Sequence, residues 1–148
     1  MMKSLLLLAT FICGVQVACT NGIPASDVPS IVMNAFKAKF SNATETEWDK
    51  EKEWFEAEFV LGNNDHEVKI TPEGKITMHK QEVTAGELPE ALSAVIHSDY
   101  NKYRLDEAEK LEINGKIFYQ LAFSGSISEI NKVFNASGTE DHTVPYWD

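Results

Sequence analysis

The chain has 148 residues and a formal net charge of −10, from 13 Lys plus Arg against 23 Asp plus Glu. An acidic chain is a poor partner for nucleic-acid phosphates or an anionic membrane surface, so we expect neither as a partner. Hydrophobic residues make up 43% of the chain, which is typical of a globular domain.

The first 18 residues predict a signal peptide. Lys3 precedes an apolar run from Leu5 to Ala18, and this run is shorter than the ~20 residues that a transmembrane helix needs. Cys19 directly follows the small residue Ala18, as in bacterial lipoprotein signals, but Gln16 stands where those signals usually have an aliphatic residue. We expect export to the periplasm or the medium. Two alternatives stay open: lipidation of Cys19, which would anchor the protein to a bacterial membrane, or ordinary cleavage nearby.

Removal of this signal leaves about 130 residues, which is the length of one domain. We assign 19–22 to a short linker, 23–143 to the domain and 144–148 to a C-terminal tail. Cys13 leaves with the signal, so one mature chain cannot form an internal disulfide. The mature chain has no apolar run long enough to span a bilayer. We therefore expect the hydrophobic core alone to stabilise the fold.

An internal repeat divides the domain into halves at about 23–83 and 84–143. An offset of 60 residues pairs Val28-Pro29 with Leu88-Pro89, and apolar residues follow each dipeptide at every third or fourth position. This period predicts one amphipathic helix in each half. Proline is tolerated in the first turn because its missing N–H would have no intrahelical partner there.

An offset of 64 residues pairs two alternating segments, 55–59 and 119–123, which predict strands with one buried face. We expect the four extra residues to lengthen a hairpin at Asn114-Gly115. Residues 106–112 are strong helix formers, but their place before that turn favours a strand. The predicted fold is α+β, a tandem repeat of one helix followed by three or four antiparallel strands. Both helices are expected to pack on one face of an antiparallel sheet, as in β-lactamase-inhibitor-like folds.

These motifs together resemble the PepSY-like, β-lactamase-inhibitor-like proteins of Bacteroidetes over about residues 23–140. The residues that carry the resemblance are Val28-Pro29, Trp54 to Phe59, Pro72 with Gly74, and Leu88-Pro89 followed by Tyr119. Asn42 departs from the pattern, because the family often has proline there, and so does the tail after Gly138. The resemblance implies an exported or lipid-anchored protein built from tandem helix-plus-sheet units. It implies no inhibitory residue, because no inhibitory motif matches.

No catalytic constellation is recognisable, so we expect no enzyme, no cofactor and no metal. The four histidines, His66, His79, His97 and His142, lack the spacing of a helical metal motif, and no cysteine pair joins them. Two runs, Asp65-His66-Glu67 and Glu140-Asp141-His142, place carboxylates beside a histidine. Solvated turns are the favoured interpretation of both runs, and loose metal binding is the alternative.

The best candidate for a functional surface is the outer face of the strands. If 55, 57 and 59 face the helices, the alternating residues face away, and the repeat offset gives their equivalents in the second half. The candidate partner-binding residues are Trp54, Glu56, Glu58, Phe118 and Gln120. Aromatic residues are enriched in interfaces, although ordinary packing across strands is the alternative. Acidic residues from Glu45 to Glu58 predict a solvated hairpin or a negative surface for a cationic partner.

The leading functional hypothesis is a non-enzymatic, inhibitor-like module that binds a protein or peptide of the cell envelope through the open face of its sheet. One alternative is a structural envelope component that associates with its own copies through that face. Another is a periplasmic protein that binds a metal or small ligand. The sequence assigns neither the oligomeric state nor the identity of a partner, and Tyr146-Trp147 either fold back on the sheet or stay loose.

Overall fold

The computed structural model describes residues 22–147. The predicted signal peptide at 1–18, the lipidation site Cys19 and most of the linker at 19–22 lie outside the described residues, as does Asp148. Export and lipidation therefore stay predictions.

Seven antiparallel strands form one sheet, in which each strand pairs with the next along the chain. The helices are α1 (Ser30–Lys39) and α2 (Glu90–Asp99), and the strands are β1 (Thr44–Lys50), β2 (Phe55–Leu61), β3 (Asn64–Ile70), β4 (Ile76–Glu82), β5 (Arg104–Ile113), β6 (Lys116–Ser124) and β7 (Glu129–Asn135). The α+β prediction is confirmed, and so is the strand predicted at 106–112. No helix within residues 22–147 is long and apolar enough to cross a membrane.

In the first half, α1 packs on the sheet through aromatic rings. The ring of Phe36 meets Trp48 edge-on at a centroid distance of 5.1 Å and Phe59 at 5.0 Å. Phe55, Ala57 and Phe59 are all at most 3% exposed. Their alternation with acidic residues is therefore the alternation of a buried and an outer face of β2.

In the second half, α2 has a core cluster of its own. Leu92 is fully buried, and Tyr100 at the end of α2 stacks on Phe123 of β6 at a centroid distance of 4.8 Å. The same ring meets Phe134 of β7 edge-on at 5.8 Å. The burial of these aromatic rings stabilises the end of α2 against β6 and β7.

Two glycines allow a turn to approach each helix closely. Gly74 follows β3 and Gly138 follows β7, both with φ near +82°. A Cβ atom would lie 3.0 Å from the carbonyl oxygen of Ile31 at Gly74, and 3.0 Å from that of Ala91 at Gly138. Ile31 and Ala91 are related by the 60-residue offset of the two helices. Glycine is required at both turns because of the left-handed backbone and the crowded helix carbonyl.

The longest hairpin joins β5 and β6, which have 10 and 9 residues, whereas β1 and β2 have 7 each. Asn114 and Gly115 form its turn with φ values of 49° and 79°. Positive φ at both positions is what a tight hairpin turn requires, which explains the Asn-Gly dipeptide. The longer strands account for the change of offset between the helices and the central strands.

Candidate functional site

A groove of about 560 Å³ lies on the sheet and receives carboxylates from five neighbouring strands. These carboxylates define the acidic groove: Glu45, Glu47, Glu58, Asp65, Glu67, Glu82, Glu107 and Glu109. Among the described residues that line it, Lys80 is the one basic side chain. The groove is thus negative along its length.

Strand period and register place these side chains together. Glu58 lies between Ala57 and Phe59, which belong to the core beneath α1, so its side chain is on the opposite face of β2. Glu58 pairs with Glu67 in the register of β2 and β3, and Glu67 pairs with Lys80 in that of β3 and β4. Residues paired in this way have side chains on the same face of an antiparallel sheet.

Lys80 is buried at the centre of the groove. Its Nζ atom lies 2.8 Å from Oε1 of Glu67 and 3.5 Å from Oε1 of Glu109. Burial lowers the pKa of Lys80, but the hydrogen bonds and charges of the two carboxylates outweigh burial, and its pKa is raised. Lys80 therefore stays protonated at neutral pH, and its charge is shared by carboxylates already bound to it.

Two groove carboxylates have a raised pKa. Burial is the main cause at Glu58, followed by the negative charges of Asp49, Glu56 and Glu47. Burial also raises the pKa of Glu67 and outweighs the ion pair with Lys80. The ionised form of both groups is less stable than in water, so a cation that enters the groove would be attracted to an incompletely balanced negative potential.

The C-terminal tail covers part of the same sheet face. The amide N–H of Trp147 donates to Oε1 of Gln120 at 3.0 Å, and Nε2 of Gln120 donates to the carbonyl oxygen of Trp147 at 2.8 Å. Gln120 is only 1% exposed. Of the two alternatives for the tail, folding back on the sheet is the one observed. The expectation that Gln120 is part of an exposed surface is wrong, because Trp147 lies over it.

Lys69 of β3 joins the two tryptophans of this face. Its Nζ atom lies 4.3 Å from the ring centroid of Trp147 and 5.0 Å from that of Trp54. The same ammonium lies 3.3 Å from Oε2 of Glu56. A cation close to an indole ring is attracted by the negative face of the ring. Trp54 and Glu56, which were predicted to bind a partner, therefore also contact Lys69 of their own chain.

The remaining candidates take different places. Glu58 is exposed and lines the acidic groove. Phe118 is half-buried, and in the register of the sheet it pairs with Leu111 of β5 and Asn135 of β7. Leu111 is fully buried. Packing across strands, the alternative considered for Phe118, is consistent with this position.

The histidine runs do not converge into metal sites. His66 lies between Asp65 and Glu67 in β3, and both carboxylates line the acidic groove on the other face from the His66 ring. In the second run, Glu140 binds Lys132 at 2.6 Å, and Asp141 accepts a hydrogen bond from the amide of Thr143. Within residues 22–147 no three ligand-type side chains are grouped to hold a metal ion.

Sequence reasoning missed the residues that organise this face, namely Lys69, Lys80 and Trp147. A signal for the two lysines exists, because each occupies an outer strand position paired in the register with a glutamate, Glu56 for Lys69 and Glu67 for Lys80. The seat of Trp147 has no local signal, since its partner Gln120 is 27 residues away along the chain.

An antiparallel sheet carrying one helix for each half is the architecture that several solved structures share with this chain. A DUF2874 family protein from Bacteroides uniformis matches with a TM-score of 0.70 and 17% identity, over 76% of this chain and 85% of that protein. A BLIP-like protein from Bacteroides fragilis matches with a TM-score of 0.69 and 20% identity, over 81% and 85%. A protein from Bacteroides eggerthii, described as one of the "putative periplasmic proteins", matches with a TM-score of 0.70 and 19% identity, over 76% and 85%. At these identities the likeness shows the fold alone.

The chain belongs to the PepSY-like family, whose description reads "Putative beta-lactamase-inhibitor-like, PepSY-like". The family model matches twice, at residues 16–78 and 75–138. This result confirms the resemblance read from the sequence. The chain matches none of the curated proteins.

Proposed function

We propose that this protein is an exported, non-enzymatic binding module that holds a cationic segment of a protein or peptide of the cell envelope in its acidic groove. The observation that carries the proposal is the convergence of eight carboxylates from five strands around a single lysine that they already bind. Export is supported by the predicted signal peptide and by the periplasmic description of the Bacteroides eggerthii relative.

The proposal includes the packing of both helices on the face opposite the groove. Register pairs Val68 with His79 and His79 with Glu112, so these three side chains share one face. Lys39 at the end of α1 lies 3.2 Å from Glu112 of β5. Ala108 alternates onto that same face of β5 and belongs to the core cluster beneath α2. These contacts support a helix-covered face and an opposite face that is open for a partner.

A cationic partner fits the electrostatics of the groove. Burial and like charges make the ionised forms of Glu58 and Glu67 less stable, and a lysine or arginine side chain nearby would favour those forms. Charge complementarity of this kind speeds association and selects among partners. Because surface charges are screened over about 8 Å at physiological salt, the proposed binding should weaken as salt increases.

A peptide titration tests the proposal. The probe is an acetylated, amidated peptide of alternating lysine and alanine, seven residues long, with a glutamate-for-lysine peptide as its negative control. We expect a Glu58→Gln, Glu107→Gln double variant to bind the lysine peptide about tenfold more weakly than the native protein, since both side chains are exposed in the groove.

The matched control is Glu53→Gln with Glu73→Gln, which removes the same charge at two exposed positions outside the groove. Its dissociation constant should stay within about twofold of the native value, because remote exposed charges are screened. Equal weakening by both double variants would mean that net charge, and not the groove, attracts the peptide. No binding of the lysine peptide to the native protein at low salt would refute the proposal.

A further inference from the structure

Gln120 holds Trp147 by the main chain. Its side-chain amide accepts from the N–H of Trp147 at 3.0 Å and donates to the carbonyl of the same residue at 2.8 Å. Nζ of Lys80 donates to that carbonyl as well, at 3.4 Å. Gln120 itself is held by Glu109, to which its Nε2 donates. Such a clamp accepts any residue whose backbone presents N–H and C=O in the same way, since it uses no side-chain atom of the bound residue.

Selectivity for an aromatic side chain comes from two ammonium groups. Nζ of Lys69 lies 4.3 Å and Nζ of Lys80 lies 5.0 Å from the centroid of the Trp147 ring. The indole has the strongest cation–π attraction of the aromatic side chains. We call Lys69, Lys80 and Gln120 the Trp147 site. Its three side chains together recognise an extended chain segment with an aromatic residue.

The tail reaches this site over a short tether. Asp141 fixes the start of the tail, with its amide on the carbonyl of Val133 at 2.8 Å and its carboxylate accepting from the amides of Thr143 and Val144. Between these anchors, His142, Thr143 and Pro145 are exposed, whereas Trp147 is 6% exposed. A ligand on a short tether has an effective concentration in the millimolar range, on the order of 1 mM or more, so a weak site stays filled.

The Trp147 site is continuous with the acidic groove. A second cavity of about 450 Å³ is lined by Tyr146 and Trp147, and it shares Lys80, Glu107 and Glu109 with the groove. A bound segment with an aromatic residue in the Trp147 site would have its neighbouring residues beside the carboxylates. Charge complementarity then favours basic neighbours.

We infer that the Trp147 site is the anchor site for an aromatic residue in an extended, basic segment of the partner, and that the protein's own tail occupies this site until the partner displaces it. The inference rests on the proposed function and names the partner's chemistry. The tail is a ligand supplied in cis: it fills the clamp in the free protein, and a partner competes by adding contacts in the acidic groove.

The test is an NMR titration of the full-length mature protein and its Trp147→Ala variant with the acetylated, amidated hexapeptide Thr-Val-Pro-Tyr-Trp-Asp, the sequence of residues 143–148. The Trp147→Ala protein should bind the hexapeptide at least tenfold more tightly than the native protein, with shifts at the side-chain amide of Gln120. A peptide with alanine in place of its tryptophan should not bind. The Tyr146→Ala protein, which keeps Trp147, is the matched control and should bind like the native protein.

Absence of binding to a Trp147→Ala protein that NMR shows to be folded would overturn the inference. Equal binding to the native and variant proteins would overturn occupation of the site by the tail. A native dimer in sedimentation that Trp147→Ala abolishes would also overturn it, because the occupant would then be the tail of a second copy.

The titration separates this inference from the proposed function. If the alternating lysine peptide binds the native protein but the hexapeptide never binds, the acidic groove is functional and the Trp147 site is not. If the hexapeptide binds Trp147→Ala and the lysine peptide binds neither protein, the site exists and the cationic groove proposal fails. A lysine peptide with a central tryptophan should bind Trp147→Ala about tenfold more tightly than the native protein, since no tail competes.

Discussion

Nδ1 of His66 lies 3.0 Å from Nε2 of His79, and the two rings stack with 9° between their planes. Phe59 stacks on the outer side of His66 at a centroid distance of 5.3 Å, and Phe40 contacts His79 at 5.0 Å. Because one ring nitrogen of the shared hydrogen bond must accept, the two rings cannot both be protonated in the fold. Burial is the main reason why the pKa of His79 falls to about 4, with the charges of His66 and Lys39 adding to it.

Acid should destabilise the fold through this histidine pair. The pKa of His66 is also lowered, mainly by burial, against the opposing effects of the Leu61 carbonyl and Asp65. Around His79, Lys110 acts with Lys39 to lower the pKa, and Glu112 opposes them. Between pH 6.5 and about 4 the unfolded chain binds more protons than the folded one, so the free energy of unfolding decreases as pH falls. We expect a loss of about 1–2 kcal/mol, discounted for partial exposure of the pair.

Urea unfolding at pH 7, 6, 5 and 4 measures this effect in the native protein and in a His66→Gln, His79→Gln variant. Glutamine keeps a polar side chain without titrating in this range. The native curve should fall more steeply than the variant curve between pH 6.5 and 4. Parallel curves would show that other groups cause the acid sensitivity.

The crowding of Gly138 against α2 predicts a large effect of a small substitution. Gly138→Ala should lower the free energy of unfolding by about 2–3 kcal/mol, because the new Cβ would meet the Ala91 carbonyl at a φ of +82°. Gly62→Ala is the matched control, since Gly62 has a φ of +70° and nothing within 4 Å of its Cβ position. Gly62→Ala should cost only about 1 kcal/mol, from backbone strain alone. Equal losses in chemical denaturation would mean that contact with α2 adds nothing.

Much of the fold follows from local sequence patterns. The three-to-four period after Val28-Pro29 and Leu88-Pro89 predicted both helices, and period-two alternation around 55–59 and 119–123 predicted central strands. Asn114-Gly115 predicted its turn because few other dipeptides adopt positive φ twice. These signals work because each depends on neighbouring residues only.

The candidate site was only partly predictable, because it depends on contacts between distant residues. Glu58 was recognised by alternation alone, and it does line the acidic groove. Gln120 occupies an equivalent outer position, but no local pattern could show that Trp147 would cover it from 27 residues away. The burial of Lys80 has a similar origin, since its two carboxylate partners come from β3 and β5. Strand order and the path of the tail, which local patterns do not specify, decide both outcomes.

Two buried tryptophans should differ in their effect on stability. Trp48 is 4% exposed in the core of the first half, and Trp147 is 6% exposed beneath no helix, at the end of a tether. Trp48→Ala should lower the free energy of unfolding by about 3–5 kcal/mol, because it leaves a cavity beside Phe36. Trp147→Ala should cost only about 1–2 kcal/mol, since release of the tail is a local opening that leaves the sheet intact. Guanidinium unfolding of both variants checks the difference, and a comparable loss would make the tail an integral part of the core.

Glu58→Gln should stabilise the protein while weakening its binding of the lysine peptide. The raised folded pKa of Glu58 means that its ionised form is disfavoured in the fold, chiefly by burial and then by Asp49, Glu56 and Glu47. Its ionisation therefore destabilises the fold at pH 7, and the penalty disappears as pH falls through the raised pKa and the carboxyl group is protonated. Because Glu58 is largely exposed, we expect a gain of only a few tenths of a kcal/mol, about 0.3–0.5, at pH 7 and none at pH 3. Paired denaturation at the two pH values measures the gain, and titration with the lysine peptide measures the loss of affinity. Opposite signs are expected of a residue kept for binding at a cost to stability. A variant that gains stability and keeps full affinity would show that Glu58 repels its neighbours without contributing to the binding site.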